Sequence, residues 1–268
     1  MRNITFVLLG VLMSTCLNAQ QRLSLCFDRG FWFPFAFTED YKPSGMYVDM
    51  IRDAMDRLDS KVALRPMDWK KCLKRVQRGR IDGVLGISYK PARAEKFDYP
   101  ADAATSKNSP NRLTNVEYVI VNYSGSGYVF NKKNIGKLPQ PVRVPRGYSI
   151  ASDLRKEGVT VDDRLYKSDQ GTLINLIARK KGSAVLLRNI AEYYFKHPFF
   201  KGKFKIQKIP YKSKAYFVAF SKKSKLTMEN KKEIWKAIKA IREDRELMES
   251  YLVKYQAIEE GEDEGESY

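Results

Sequence analysis

Histidine is almost absent from this 268-residue chain: the only one, His197, stands in Lys196-His197-Pro198, and cysteine occurs three times. Protein zinc sites draw on clustered His and Cys, so a metal centre of that kind is excluded, and no cofactor is expected. Catalytic sets that place His beside a nucleophile go with it. The chain has no G-x-S-x-G, no Walker phosphate loop and no zinc-protease motif. Past the first nineteen residues no eighteen apolar residues run together, so no transmembrane helix is predicted and the mature chain reads as soluble. No tandem repeat of fixed period occurs.

What is present begins with a tripartite leader. Arg2 and Asn3 form a short polar start, Ile4 to Leu12 is almost wholly apolar, and Leu17-Asn18-Ala19 offers a small residue for cleavage. This is the layout of a secretory signal peptide, with an apolar run too short to span a bilayer. The expectation is that residues 1–19 are removed and that the protein is periplasmic or secreted. A buried N-terminal strand or helix is the alternative. Cys16 raises a lipidated alternative, which the preceding Met13-Ser14-Thr15 fits poorly. Roughly 249 residues remain, ample for two medium domains with a real core. Cys26 and Cys72 survive cleavage; in an oxidising compartment they are a disulfide candidate, with two buried thiols as the other reading.

Charge is lopsided. Lys plus Arg number 49 against 31 Asp plus Glu, a formal +18. Residues 107–212 alone hold 21 bases and 7 acids. Glu259 to Tyr268 holds six acids and no base, so residues 258–268 read as a disordered tail. A basic exported protein meets anionic partners: cell-wall polymers, lipid headgroups or acidic solutes. Nucleic acid is not expected outside the cytoplasm.

Strand and helix patterns alternate. Leu23, Leu25 and Phe27 alternate as a strand; Tyr47, Val48, Ile51, Met55 and Leu58 follow helical spacing; Val62 and Leu64 make a second strand. Trp69, Cys72, Leu73 and Val76 sit on one helical face closed by Gly79, and Gly83–Ile87 reads as a buried strand. The second half repeats the logic. Val142 and Val144 form a strand, Ser149 stands at the next helix start, Leu173, Ile174 and Ile177 line a helix stopped by Gly182, and Ala184–Leu187 is a buried strand. Tyr216–Phe220 follows as a strand, then helices from Met228 to about Tyr255. Such alternation predicts parallel sheets with crossover helices. The polar, turn-rich residues 101–115 predict one crossing between two lobes, and Pro210–Lys214 a second.

Several segments, in order, resemble the bacterial family 3 extracellular solute-binding proteins, typified by polar amino-acid receptors of ABC importers. They are Phe27-Asp28 with Trp32-Phe33-Pro34-Phe35; Gly45 to Met50; Trp69 to Gly79 running into Asp82-Gly83; Arg93 with Phe97-Asp98-Tyr99-Pro100; Arg146-Gly147-Tyr148-Ser149; and Tyr216 to Ser221. The resemblance covers nearly the whole mature chain. It implies an α/β fold of two lobes, the type 2 periplasmic-binding-protein arrangement, with residues 20–106 and 213–257 in lobe one and 107–212 in lobe two. It also implies a ligand in the interlobe cleft and capture by hinge closure, for which such proteins are the standard example.

Candidate site residues follow. Arg93 lies just past a buried strand, and its guanidinium fork suits a carboxylate; in similar proteins the arginine of this motif holds the ligand carboxylate. The bland alternative is a surface arginine paired with Glu95. Asp28 offers an acceptor, and Trp32, Phe33 and Trp69 an aromatic wall, core packing being their alternative. Ser88 and Tyr89 precede Arg93 and offer hydroxyls. Ser149 opens a helix, where N–H groups favour anions, or simply caps it.

One departure stands out. Amino-acid receptors of this family place an aspartate after the late strand of lobe two; here Arg188 follows Leu187, and Asp169 is the acid nearest in sequence. A cation there repels an ammonium group, so the expected ligand is a carboxylated or otherwise anionic small molecule bridging Arg93 and Arg188. The expected protein is a monomeric, non-enzymatic receptor serving an ABC permease or membrane sensor. The alternatives are a dehydratase-like enzyme on the same fold and a basic adaptor without a small ligand.

Overall fold

The computed structural model describes residues 22–164, 166 and 168–265. The leader expected at residues 1–19, Cys16 included, lies outside the described residues. In chain order the elements are β1 (Arg22–Asp28), β2 (Phe37–Glu39), β3 (Lys42–Ser44), α1 (Met46–Asp56), β4 (Lys61–Met67), α2 (Trp69–Gln77), β5 (Gly83–Ser88), α3 (Pro91–Ala94) and β6 (Phe97–Asp98). There follow β7 (Asn115–Tyr123), β8 (Val142–Arg143), α4 (Ile150–Lys156), β9 (Val161–Asp162), α5 (Asp169–Arg179), β10 (Ser183–Leu187), α6 (Arg188–Lys196), β11 (Phe204–Ile206), β12 (Lys212–Ser221), α7 (Met228–Glu243) and α8 (Arg245–Gly265).

The chain forms two α/β lobes whose strands join in one curled sheet of order β4-β1-β5-β12-β7-β10-β8-β9. In the first lobe β1 runs parallel to β4 and β5, as crossover helices α1 and α2 require. In the second, β10 is parallel to β8 and antiparallel to β7. Strand β12 belongs to both: Lys212–Ala215 pairs with β7 and Tyr216–Phe220 with β5. The first crossing is tied to it, since Leu113 donates to the Tyr216 carbonyl (2.7 Å) and Tyr216 to that of Thr114 (3.0 Å). The two connections between lobes are thus neighbours, joined by backbone hydrogen bonds at Leu113, Thr114 and Tyr216.

Local chemistry explains the helix starts. Asp68 caps α2 by accepting from the Lys71 amide, Ser168 caps α5 through Gly171, and Thr227 and Asn230 form a reciprocal capping box on α7. Ser149 is different: it occupies the cap position of α4 but its side chain makes no cap bond. The terminal helical region breaks at Asp244, and α8 runs on to Gly265. Residues 258–265, read from sequence as part of the acidic tail, continue α8.

Cys26 in β1 and Cys72 in α2 are bridged, with Cα atoms 5.7 Å apart across a sequence separation of 46. Both are fully buried among Val76, Ile81, Val84 and Ala219. Closing a loop of this length removes unfolded-state entropy worth about 4 kcal/mol. Urea unfolding of the Cys26→Ala/Cys72→Ala protein should therefore show a stability loss of about 3–5 kcal/mol.

Candidate ligand-binding site

The carboxyl ends of β1 and β5 and the start of α4 converge on a cavity lined by Asp28, Trp32, Trp69, Ser88, Arg93 and Ser149, together with Gly86, Tyr118, Tyr148, Leu187 and Tyr216. Its volume is about 30 Å³, the room of two water molecules or so. The walls come from both lobes, and β12 contributes Tyr216 at the junction.

Arg93 is held from several sides. Its guanidinium donates to the Ser88 carbonyl (2.9 Å) and hydroxyl (3.2 Å), and to the Gly147 carbonyl of the other lobe (3.3 Å). The face of Trp69 lies 5.6 Å from its central carbon, within cation–π range. Glu95 pairs with Lys96 instead (3.8 Å). From Ser88 a chain of contacts crosses the cleft: its hydroxyl meets that of Ser149 at 2.9 Å, and Ser149 in turn accepts from the Lys214 ammonium at 2.9 Å. The Ser149 side chain is spent on this chain, which is why it does not cap α4. Lys214 also pairs with Asp153; burial pushes its pKa down while Asp153 pulls it back up.

Arg93 and Lys214 donate into the two serine hydroxyls. The Tyr118 and Tyr216 hydroxyls bond to each other and also face Ser149 and Ser88, so the four hydroxyls form a ring in which each donates once. The indole N–H groups of Trp32 and Trp69 are buried and unpartnered.

The opposite imbalance lies beside Tyr148. Its hydroxyl donates to Asp169 Oδ2 (3.3 Å), while Asp169 Oδ1 is buried with no partner. Asp169 opens α5 and is 6 % exposed. Burial raises its pKa to about 7, with the Asp28 charge adding to the rise. Asp28, at the end of β1, is raised to about 6, again chiefly by burial. The Gly30 amide (3.2 Å) bonds to it. Neither carboxylate has a cation in contact among the described residues.

Six of the sequence candidates meet here: Asp28, Trp32, Trp69, Ser88, Arg93 and Ser149. Three do not. Phe33 is 4 % exposed and packs against Phe31, Phe37 and Tyr193, so its ring is core. Tyr89 packs edge-on against Tyr99, which takes the inner position and donates to the Ser88 carbonyl. Arg188 is the main correction. It starts α6, which turns off the strand end, and it bonds Glu117 (2.6 Å) and Glu192 (3.4 Å) on the flank of its lobe. Leu187 lines the cavity in its place, so no second cation comes from that strand.

Sequence reasoning missed the tyrosines and Lys214. Lys214 had a signal, being a charged residue entering the apolar run Ala215–Phe220. Gly86 had one too. It takes φ +78°, and a Cβ there would stand 2.8 Å from the Trp32 ring, so glycine is what lets the indole lie against β5.

The model of bacterial extracellular solute-binding proteins, family 3, matches residues 24–254. The chain belongs to this family. Solved structures of amino-acid-binding proteins share its fold. An ancestral arginine-binding protein bound to arginine superposes with a TM-score of 0.69 at 20% identity, covering 87% of this chain and 97% of that one. The arginine-, lysine-, histidine-binding protein ArtJ from Geobacillus stearothermophilus gives 0.69 at 16%, covering 88% and 95%. The ancestral amino acid-binding protein AncCDT-1, a precursor of cyclohexadienyl dehydratase, gives 0.66 at 17%, covering 87% and 94%. At these identities the likeness is one of fold. No curated protein matches the sequence.

The raised carboxylates fix a pH dependence for this family 3 protein without ligand. An unfolded Asp ionises near 3.8, whereas folded Asp28 and Asp169 keep their protons to about 6 and about 7. Between those limits the unfolded chain binds fewer protons, so stability falls as pH rises from about 4 to about 7. Asp169→Asn should flatten the slope and stabilise the ligand-free protein at pH 8 by a few kcal/mol, at about 1.4 kcal/mol per pKa unit. Urea unfolding at pH 4, 6 and 8 reads this directly.

Proposed function

We propose that the protein captures a polar amino acid outside the cytoplasmic membrane and presents the closed complex to a membrane permease or sensor. One observation carries the reading: the indole N–H groups of Trp32 and Trp69 on the cavity wall lack acceptors, and beside Tyr148, which also lines the cavity, a buried carboxylate oxygen of Asp169 lacks a donor. A carboxylate suits Arg93, whose guanidinium fork would trade the Gly147 and Ser88 carbonyls for stronger charged partners. An ammonium group answers Asp169 Oδ1.

Charge supports the same choice over the anionic ligand expected from sequence. That expectation rested on Arg188, which is neutralised elsewhere. Around the cleft, Lys214 and Lys212 pair with Asp153, which leaves Arg93 facing Asp28 and Asp169, an arrangement that suits a zwitterion. The arginine-binding neighbours make a cationic side chain directed at Asp28 the natural first test.

A cavity of about 30 Å³ admits no amino acid as it stands. Entry therefore requires the lobes to part about β12 and the first crossing, breaking the Ser88–Ser149 and Arg93–Gly147 contacts. The ligand remakes both from within, and that differential affinity is what drives closure.

Thermal-shift and calorimetric screens should show stabilisation by arginine, lysine, histidine or glutamine, and none by the matching deaminated acids or decarboxylated amines. Arg93→Ala should weaken binding by tens-fold or more. Affinity should fall as pH drops from 8 to 5, when Asp169 and Asp28 take up protons. Stabilisation by dicarboxylates alone refutes the reading. A carboxyl poised near neutrality also suits a general acid, so turnover of the bound compound would instead mark an enzyme on this fold.

A further inference from the structure

Away from the cleft, on the first lobe, a second concavity encloses about 430 Å³. One wall is the end of α2, with Lys74 and Arg78; the other is Glu95-Lys96 and the turn after β12, with Lys222 and Lys223. All five cations are exposed. Among the described residues no carboxylate pairs with Lys74, Arg78, Lys222 or Lys223, and Glu95 reaches only Lys96, at 3.8 Å.

These like charges are held together by the backbone. Gly79 ends α2 at φ +71°, and a Cβ there would stand 2.7 Å from the Lys223 carbonyl oxygen; only glycine allows so close an approach. The Lys222 amide donates to the Lys96 carbonyl (3.3 Å), and the Lys223 amide to the Ser221 hydroxyl (3.0 Å). The two cationic walls are thus fixed face to face against their own repulsion. A cleft walled by one sign of charge focuses its potential inward.

We propose that this groove binds a phosphate-bearing polyanion. Its walls are Lys, Arg, Gln and Glu, with no aromatic or apolar side chain. It therefore offers nothing to stack on bases, as single-stranded nucleic acid requires, and nothing to insert among lipid tails. Its concavity suits closely spaced oxyanions, and flexible lysines serve phosphate as point charges. The site is independent of the amino-acid cleft.

The test titrates sodium tripolyphosphate into the full chain by calorimetry at about 20 mM and about 200 mM salt. Binding is expected at low salt and much weakened at high salt. Lys222→Glu/Lys223→Glu should reduce affinity about tenfold or more, as should Lys74→Gln/Arg78→Gln, with cleft binding of amino acids and melting temperature unchanged. The control, Lys180→Glu/Lys181→Glu, makes the same net charge change at exposed positions of the other lobe and should bind nearly as well as the parent. Equal loss in the control, no heat at low salt, or binding of a sulfated oligosaccharide with none of tripolyphosphate would each overturn the proposal.

Discussion

One strand holds this molecule together. β12 gives its first four residues to the sheet of one lobe and Tyr216 to Phe220 to the sheet of the other. Side chains alternate along a strand, so Lys214 and Tyr216 share a face. That face looks into the cleft, Lys214 toward Ser149 and Tyr216 toward Trp32. The strand that joins the lobes thus also furnishes part of the site. Any twist between the sheets moves Lys214 relative to Ser149 and Tyr216 relative to Tyr118, which ties occupancy of the cleft to lobe orientation.

The cleft is held by polar contacts between the lobes, Ser88 to Ser149 and Arg93 to the Gly147 carbonyl. Arg93 rests on carbonyl oxygens, weaker partners than a carboxylate. Burial holds the Asp169 and Asp28 carboxyls above the usual carboxylate range, at about 7 and about 6. Two indole N–H groups have no acceptor. Buried polar groups left unpaired cost about 1–3 kcal/mol each. The free protein therefore carries unpaired donors on two indoles and an unpaired acceptor on Asp169.

The fold was legible because its signals are local. Alternation in Leu23-Leu25-Phe27, the single face of Trp69–Val76 and the run Gly83–Ile87 each specify an element, and their order specifies a two-lobed α/β chain. Arg93 was legible because it follows a buried strand directly. Arg188 satisfies that same rule and is misplaced by it. What separates the two is the element that comes next: α3 is a four-residue turn that keeps Arg93 at the strand end, whereas α6 starts at Arg188 itself and swings the side chain to Glu117 and Glu192. Nothing near residue 188 announces a partner 71 positions away. Tyr118 escaped notice for a related reason, since one tyrosine in an apolar strand reads as core until the facing Tyr216 is known.

The disulfide has a consequence for how this protein changes over time. Cys26 lies two residues before Asp28, and Cys72 three residues after Trp69, one turn along α2. A single covalent bond therefore pins two cavity walls of the first lobe to one frame buried at the centre of its core. The second lobe has no such brace among the described residues. Its share of the site, Tyr118, Tyr148, Ser149 and Leu187, comes from β7, β10 and the start of α4, with Tyr148 tied to Asp169 by one hydroxyl contact. Selection for a new solute thus meets one stiff jaw and one pliable one, and the pliable jaw is where substitutions can reshape preference without disturbing the core.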